Sequence, residues 1–387
     1  MGRFRPAPVI TLALAVLLWF APDLKAVVDF PIFYLLFGYT LFFWIAQASS
    51  WNLFTGFSGY FSFGQGAFYG VGVYAVGVLV AKQGWPLLLS FIAGGVLSAL
   101  LGLFIGLVVF RLRKLRGEIF ALMTLAVAFV LGAVARVNST IDGGQGIPLS
   151  SVPLPEALGD FPAMMFRLGL IVATLAVLCA QFIQRSRLGW GLFSIRDDED
   201  VAETLGVPTF RFKMAALGIS TFLAGLSGAV HSLQISYITI EDVFNIRVPL
   251  LVILMSILGG TRHWMGPVLG AVVVYTLNDR LNGAGLQDVS DIVIGALLII
   301  MIVLVKEGLY LRMQARPLRA VVGLVLGLAI GGALGAAADS AITLMAYGLA
   351  GAVLSVMLPD RPSRRGRRGS GGPTLETQRE VEESARG

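Results

Sequence analysis

Long apolar runs alternate with short polar joints along most of this chain, and the pattern predicts helices that cross a membrane. A spanning helix needs roughly 20 mostly apolar residues. Twelve segments are read as candidates, near 8–22, 32–50, 59–81, 86–110, 118–135, 165–184, 214–236, 247–260, 265–281, 289–305, 320–338 and 341–358. The first and eighth are short, at about 14 residues, and either could be broken or re-entrant. The expected fold class is therefore all-α, a polytopic transmembrane helical bundle of about 10–12 spans. The first segment has a basic start in Arg3 and Arg5, but Ala21-Pro22-Asp23 is a poor cleavage site and further spans follow at once. It reads as an N-terminal span over 1–30 rather than a signal peptide.

Composition sharpens this picture. Of 387 residues, 56% are hydrophobic and 13% charged, against about 25% charged in a soluble domain. From Pro31 to Phe110 the only charged side chain is Lys82. A soluble enzyme, a disordered chain and a nucleic-acid partner are all disfavoured. The single cysteine, Cys179, allows no intramolecular disulfide. One cysteine and two histidines make a zinc site of the usual kind an unpromising reading.

Charge also sets orientation, because Lys and Arg collect on the cytoplasmic side. With the N-terminus inside and all twelve segments crossing, 23 of the 29 Lys and Arg fall inside and 6 outside. Both termini are expected in the cytoplasm, and the net charge of +6 is explained by orientation. An outside loop, Val137 to Arg167, contains Asp142-Gly143-Gly144-Gln145-Gly146. The tail, 359–387, is polar and Arg-rich and is expected to be disordered, its Arg361 to Arg368 cluster lying next to anionic lipid.

Segment 52–77 holds Gly56, Gly59, Gly64, Gly66, Gly70, Gly72 and Gly77, with Asn52, Thr55, Ser58, Ser62 and Gln65 read at helical spacing. Small residues allow close helix packing in lipid. They also allow broken helices that line a polar path. Both readings stand for Asn52, Ser58, Gly59, Ser62, Gly64, Gln65 and Gly66. Gly59, Gly66 and Gly70 recur at the same spacing as Gly259, Gly266 and Gly270, which could mark an internal duplication.

The inside loop 185–213 carries ten charged residues. Asp197, Asp198, Glu199 and Asp200 begin a helical pattern that continues through Val201, Ala202 and Leu205. Acidic residues suit a first turn, and Gly206 with Pro208 stops the pattern. The result is a short amphipathic helix outside the membrane. It could fit a groove on a partner or lie as an ordinary solvated helix.

Here the chain resembles a known family. Asp200-Val201-Ala202-Glu203-Thr204-Leu205-Gly206 is similar to the Glu-Ala-Ala-x-x-x-Gly coupling motif of bacterial ATP-binding-cassette importer permeases. The wider pattern resembles the permeases of branched-chain amino acid importers: Ser186-Arg187-Leu188-Gly189, Ile195-Arg196-Asp197-Asp198-Glu199, Asn52 to Gly59, Ser62-Phe63-Gly64, Gly66-Ala67-Phe68, Gly72-Val73-Tyr74, Arg113 to Thr124, Gly143-Gly144, Leu258-Gly259-Gly260, Gly266 to Ala271 and Lys306-Glu307-Gly308-Leu309. It covers about 30–312, so 31–312 is read as the permease core. The resemblance implies a second homologous permease subunit, cytoplasmic ATPase subunits that use ATP, and an extracytoplasmic solute-binding protein. It implies a bacterial cell membrane location and alternating access. It also implies that Arg196, Asp197, Asp198, Glu199, Asp200, Val201, Ala202, Glu203, Leu205 and Gly206 contact the ATPase. This chain would bind no cofactor. Two features depart from the family: the hairpin within 313–358, and Gln65 where a His is more usual.

Branched-chain amino acids are the default solute, with urea and short amides as the alternative. A secondary transporter would need an intramembrane ionisable group. His231, Glu118, Asp279 and Asp291 are the few choices, and all are expected at span ends. A membrane enzyme lacks a nucleophile elbow or metal-ligand spacing, and the absence of a P-loop motif points to ATP binding on another chain.

Overall fold

The computed structural model describes residues 7–23, 31–111, 117–149, 158–283, 308–333 and 341–357, with isolated positions between 285 and 299. The chain is almost wholly helical across these residues, as the apolar runs require. The helices are α1 (Ala7–Trp19), α2 (Ile32–Trp51), α3 (Gln65–Val76), α4 (Leu87–Arg111), α5 (Gly117–Val137), α6 (Phe161–Arg185), α7 (Arg187–Asp197) and α8 (Glu199–Thr204). They continue with α9 (Thr209–Ile235), α10 (Ile240–Val243), α11 (Arg247–Gly259), α12 (Met265–Gly283), α13 (Gly308–Ala315), α14 (Pro317–Ala333) and α15 (Ala341–Met357).

Six helical stretches among the described residues are long and apolar enough to span: Ile32–Gly56, Leu87–Arg111, Ile119–Val137, Phe161–Arg185, Thr209–Ile235 and Ile240–Gly259. A seventh arises if Gly308–Ala315 and Pro317–Ile330, bent by 104°, count as one span. Helices α1, α14 and α15 are apolar but shorter, at 13, 17 and 17 described residues. The 59–81 run is helical only from Gln65, and continues past α3 as a π-helical turn, Gly77–Lys82. Run 289–305, Lys306-Glu307, Arg113 to Arg116 and the tail 359–387 lie outside the described residues.

Glycine builds the centre of the bundle. Helix α3 packs along α9 and α4, and α4 along α9. A Cβ on Gly72 would lie 1.9 Å from the Gly225 carbonyl oxygen, so the two backbones touch directly. Gly102 makes room for the Thr221 side chain and Gly94 for the Ala229 methyl. Close approach of this kind replaces the hydrophobic drive that lipid cannot supply. Helices α2 and α6 pack side by side, and α11 and α12 form a hairpin.

The loops gather at two ends. At one, Lys82 donates to the Ser139 and Thr140 carbonyls, and Arg136 pairs with Glu241 at 2.5 Å. There strand β1 (Ile147–Pro148) pairs antiparallel with β2 (Tyr237–Ile238), matching Ile147 to Ile238. At the other end lie the α2–α3 turn, the α7–α8 loop and the α11–α12 turn, joined by the contacts below. This grouping matches the alternation expected from the basic loops. Helices α14 and α15 form the C-terminal hairpin, where Gly323 and Gly327 on α14 meet Gly351 and Tyr347 on α15.

Candidate functional site

Helix α2 does not stop at Trp51. It widens into a π-helical turn, Asn52–Gly56, and the helical path closes at Ser58 before Gly59 reverses the backbone at φ +78°. Residues 59–64 are irregular until α3 begins at Gln65. The polar residues 52–65 therefore do not share one helical face. Asn52, Thr55 and Ser58 belong to the end of the α2 path, Ser62 to the break and Gln65 to the start of α3.

Side chains satisfy the irregular backbone, as burial demands. The Trp51 indole donates to the Ser62 carbonyl at 2.7 Å, and the Phe63 N–H donates to Thr124 Oγ1 at 3.1 Å. Ser62 Oγ accepts from Gly64 N–H at 3.1 Å, and Ser58 Oγ donates to the Phe54 carbonyl. Gly64 packs on Thr124 and Phe68, and Gly66 faces the Asn245 carbonyl and Pro249. Gln65 is buried and donates to Gln47 Oε1 at 2.6 Å and Ser50 Oγ at 2.9 Å. Gln65 thus ties α3 to α2. Nearby, the Asn52 amide and the Ser49 and Thr55 hydroxyls are buried without a hydrogen-bond partner among the described residues.

The echo at 259–270 has the same form: α11 ends at Gly259, Gly260 takes φ +109°, and α12 starts at Met265. Its glycines work differently. A Cβ on Gly270 would fall 1.7 Å from the Met255 carbonyl oxygen, and one on Gly266 1.8 Å from the Gly260 carbonyl oxygen, so they weld α11 to α12. Gly70 instead accommodates the Phe244 ring.

The charged loop is a helix–turn–helix. Ser186 Oγ caps α7 by accepting from Gly189 N–H, and Asp198 Oδ1 caps α8 by accepting from Val201 N–H at 3.0 Å. Gly206, at φ +84°, ends the turn. The expected amphipathic face divides. Ala202 is buried, whereas Val201 and Leu205 are 52% and 78% exposed. Asp197, Asp198, Asp200 and Glu203 lie on the surface. Arg196 and Glu199 turn the other way.

Arg196 packs on Gly59, donates through Nη1 to the Gly56 carbonyl, and reaches Thr261 Oγ1 through Nη2 at 3.2 Å. Burial, and after it the positive charge of Arg262, pull its pKa below the ordinary guanidinium value, with Asp197 opposing. Glu199 accepts from Lys213 Nζ at 2.5 Å and from the Tyr60 hydroxyl. Lys213 also donates to Tyr60 Oη at 3.2 Å and lies over the Tyr60 and Phe110 rings. Asp197 pairs loosely with Arg262 at 3.5 Å. Tyr60, Lys213, Thr261, Gln47 and Thr124 were not singled out from the sequence. Of these only Lys213 carried a visible signal, as the last charge of the 185–213 loop.

Of the ionisable groups expected at span ends, His231 is packed inside the bundle. Its ring stacks on Phe43 at 4.1 Å and Nδ1 lies 2.8 Å from Tyr39 Oη. Asp279 pairs with Arg280 at 3.0 Å. Glu118 falls in α5, and Asp291 lies outside the described residues. No group of three or more His, Cys, Asp or Glu is placed to hold a metal among the described residues.

At the opposite end a recess of about 300 Å³ opens between α2, α11 and α12. Asn245, Arg247, Asn278 and Asn282 supply its polar groups, and Trp44, Leu251, Met255 and Tyr275 its apolar ones.

A glycine-packed helical membrane bundle, broken twice beside a charged helix–turn–helix, defines a polytopic transport-type membrane protein. Residues 33–302 match the family model described as the permease component of branched-chain amino acid transport systems, and the chain belongs to that family. It is similar to the high-affinity branched-chain amino acid transport system permease protein LivM of Salmonella typhimurium, at 24% identity over 67% of this chain and 65% of the relative. LivM of Escherichia coli strain K12 is 23% identical over 67% and 65%. The fructose import permease protein FrcC of Rhizobium meliloti is 26% identical over 58% and 64%. The chain thus spans about 65% of the length of the LivM relatives. These relatives are transport permeases, not enzymes. No solved structure matches the chain.

Proposed function

We propose that this chain is one of two homologous permease subunits of an ATP-binding-cassette importer in a bacterial cell membrane. Both termini lie in the cytoplasm. A separate extracytoplasmic binding protein delivers the solute, and cytoplasmic ATPase subunits use the ATP. The observation that carries the reading is the α7–α8 loop. It is a capped helix–turn–helix with Val201 and Leu205 presented outward, set on the two helix breaks. An apolar pair rimmed by Asp200 and Glu203 suits a groove on a partner. Alternating access then opens and closes a path beside the breaks. The Asn52 amide and Thr55 hydroxyl, buried without a partner among the described residues, support a polar lining there. Ser58, Gly59, Ser62, Gly64, Gln65 and Gly66 shape the break itself.

The solute class proposed is the branched-chain amino acids. The recess at the opposite end supports it, because a polar rim with Arg247 and an apolar floor suit a small amphipathic solute with a carboxylate better than a sugar. Urea and short amides are the alternative within the same class of permease.

Uptake of labelled leucine, urea and fructose into proteoliposomes tests the proposal, with and without the ATPase and binding-protein subunits. ATP-dependent leucine uptake only with the full set is expected. Accumulation by this chain without any ATPase would instead establish a secondary transporter. Reversing the charges of Asp200 and Glu203, with Glu199 left intact because it pairs with Lys213, is expected to leave the chain in the membrane but uncouple ATP hydrolysis from uptake.

A further inference from the structure

We infer that the loop's inward side, Arg196 above all, is not a docking surface but the linkage that moves both helix breaks when the loop moves. This rests on the importer reading above and assigns Arg196 and Glu199 a role opposite to the partner contact that the motif suggests.

The geometry is unusual for a loop arginine. One guanidinium binds two segments far apart in sequence: the Gly56 carbonyl on the π-helical turn and the Thr261 hydroxyl in the second break. Carbonyls at a helix end have no partner within the helix, so Arg196 completes the end of α2 from outside. The contact has little slack. A Cβ on Gly59 would lie 3.0 Å from Arg196 Cγ and 3.4 Å from its Cα, so the stem of Arg196 rests on the residue where the backbone reverses. The adjacent Asp197 reaches Arg262 in the same second break.

A second attachment lies three residues on. Glu199 binds the Tyr60 hydroxyl, directly after Gly59, and Lys213 at the foot of α9. The loop therefore holds the first break from both sides of Gly59, the second break at Thr261, and α9. Its other side, Val201 and Leu205, faces outward. A pull on that outer side reaches the breaks through Arg196 and Glu199. Lysine cannot replace Arg196, since the two acceptors are met by separate nitrogens, Nη1 and Nη2, of a planar fork that a single ammonium nitrogen does not reproduce.

The test uses the full complex, with the partner permease and ATPases, in proteoliposomes. Three quantities are read: ATPase subunits retained on purification, ATP hydrolysis, and solute taken up per ATP hydrolysed. Arg196→Gln and Arg196→Lys are expected to retain the ATPases and keep hydrolysis within about twofold. Their uptake per ATP should fall about fivefold or more, the scale of a typical coupling between sites. Leu205→Ser, on the outer side, is expected to lose ATPase subunits instead. Thr261→Val removes one acceptor while leaving Arg196 in place, and should lower uptake per ATP in the same direction. It gives the reading if Arg196 variants do not accumulate. The inference is overturned if the Arg196 variants shed ATPases as Leu205→Ser does, or if uptake per ATP is unchanged in both Arg196→Gln and Thr261→Val. Wild-type protein that retains no ATPase and shows no ATP-dependent uptake would sink the importer reading first, and this inference with it.

Discussion

The Glu199–Lys213 pair allows an asymmetric prediction. The Lys213 side chain is 6% exposed and that of Glu199 26%. Glu199→Gln keeps the shape and leaves a buried ammonium facing Tyr60 Oη at 3.2 Å and two aromatic rings, their centroids 4.6 and 4.9 Å away. Removing one member of a buried pair costs about 3–5 kcal/mol. The rings face the ammonium in both proteins and offset nothing, while Glu199 is partly exposed, so Glu199→Gln should sit at the low end, about 3 kcal/mol. Lys213→Met leaves a carboxylate that still meets water and still accepts from Tyr60. Its cost should be nearer about 1.5–2 kcal/mol, the low end for one hydrogen bond to a charged group. The double variant removes both charges and leaves no buried unpaired ion, so it should fall within about 1.5 kcal/mol of wild type. The assay is the thermal midpoint of purified protein in one detergent, read by size-exclusion of the surviving monodisperse fraction. The expected order of midpoints is wild type, double variant, Lys213→Met, Glu199→Gln. A double variant that melts below both single variants, or costs that simply add, would refute the reasoning.

Two further outcomes are expected. His263 lies in the α11–α12 break, where its Nδ1 accepts from Met265 N–H at 3.2 Å and its ring stacks on Tyr310. Burial, and then Arg185, lower its pKa from 6.5 to about 4, so the fold favours the neutral ring. The unfolded chain takes up this proton first. Stability should therefore be independent of His263 above about pH 6.5, and should fall as pH drops from there towards 4. A melting series over that range should lose part of its slope in His263→Gln, and an unchanged slope would dismiss the assignment. Gly72→Ala puts a Cβ 1.9 Å from a backbone oxygen, where no rotamer can yield. It should cost at least as much as core overpacking typically does, about 1–3 kcal/mol. Gly84→Ala has open space but φ +69°, and should cost about 1–2 kcal/mol from backbone strain alone. A smaller loss of monodisperse protein for Gly72→Ala than for Gly84→Ala would count against direct contact of α3 with α9.

The all-helical fold and the two-ended distribution of loops were legible because lipid leaves so few choices. Apolar run length shows most of the long helices, and Lys and Arg placement pairs Lys82 with the 138–149 loop and the 185–213 loop with the 260–264 turn. The boundaries around the glycines were not legible. Hydropathy cannot tell a helix that starts at Gly59 from one that starts at Gln65, since residues 59–64 are as apolar as their neighbours. The decision is made by Trp51 and Thr124, which satisfy the broken backbone from elsewhere in the bundle. The end of α8 was legible because Gly206 acts locally, but its start was read at Asp197, which closes α7 while Asp198 caps α8. Which side each acid of the loop presents was not, since it depends on Lys213 and Tyr60.

That difference changes what the glycine echo means. Equal spacing at Gly59, Gly66, Gly70 and Gly259, Gly266, Gly270 suggested two equivalent elements. They share one form, a helix that ends at a glycine-built break, but their attachments differ. The second is welded into a hairpin by backbone contacts of Gly259, Gly266 and Gly270. The first opens instead: α2 packs mainly on α6 and α3 mainly on α9 and α4, with α9 touching both arms and Gln65 as the tie between them. An element held on two sides by different bodies bends at its break when those bodies move apart, while a welded hairpin moves as one. With Arg196 bridging both, the π-helical turn Asn52–Gly56 and Gly59 are where strain would concentrate. The welded hairpin, which Arg196 also holds at Thr261, would follow the loop as one body without bending.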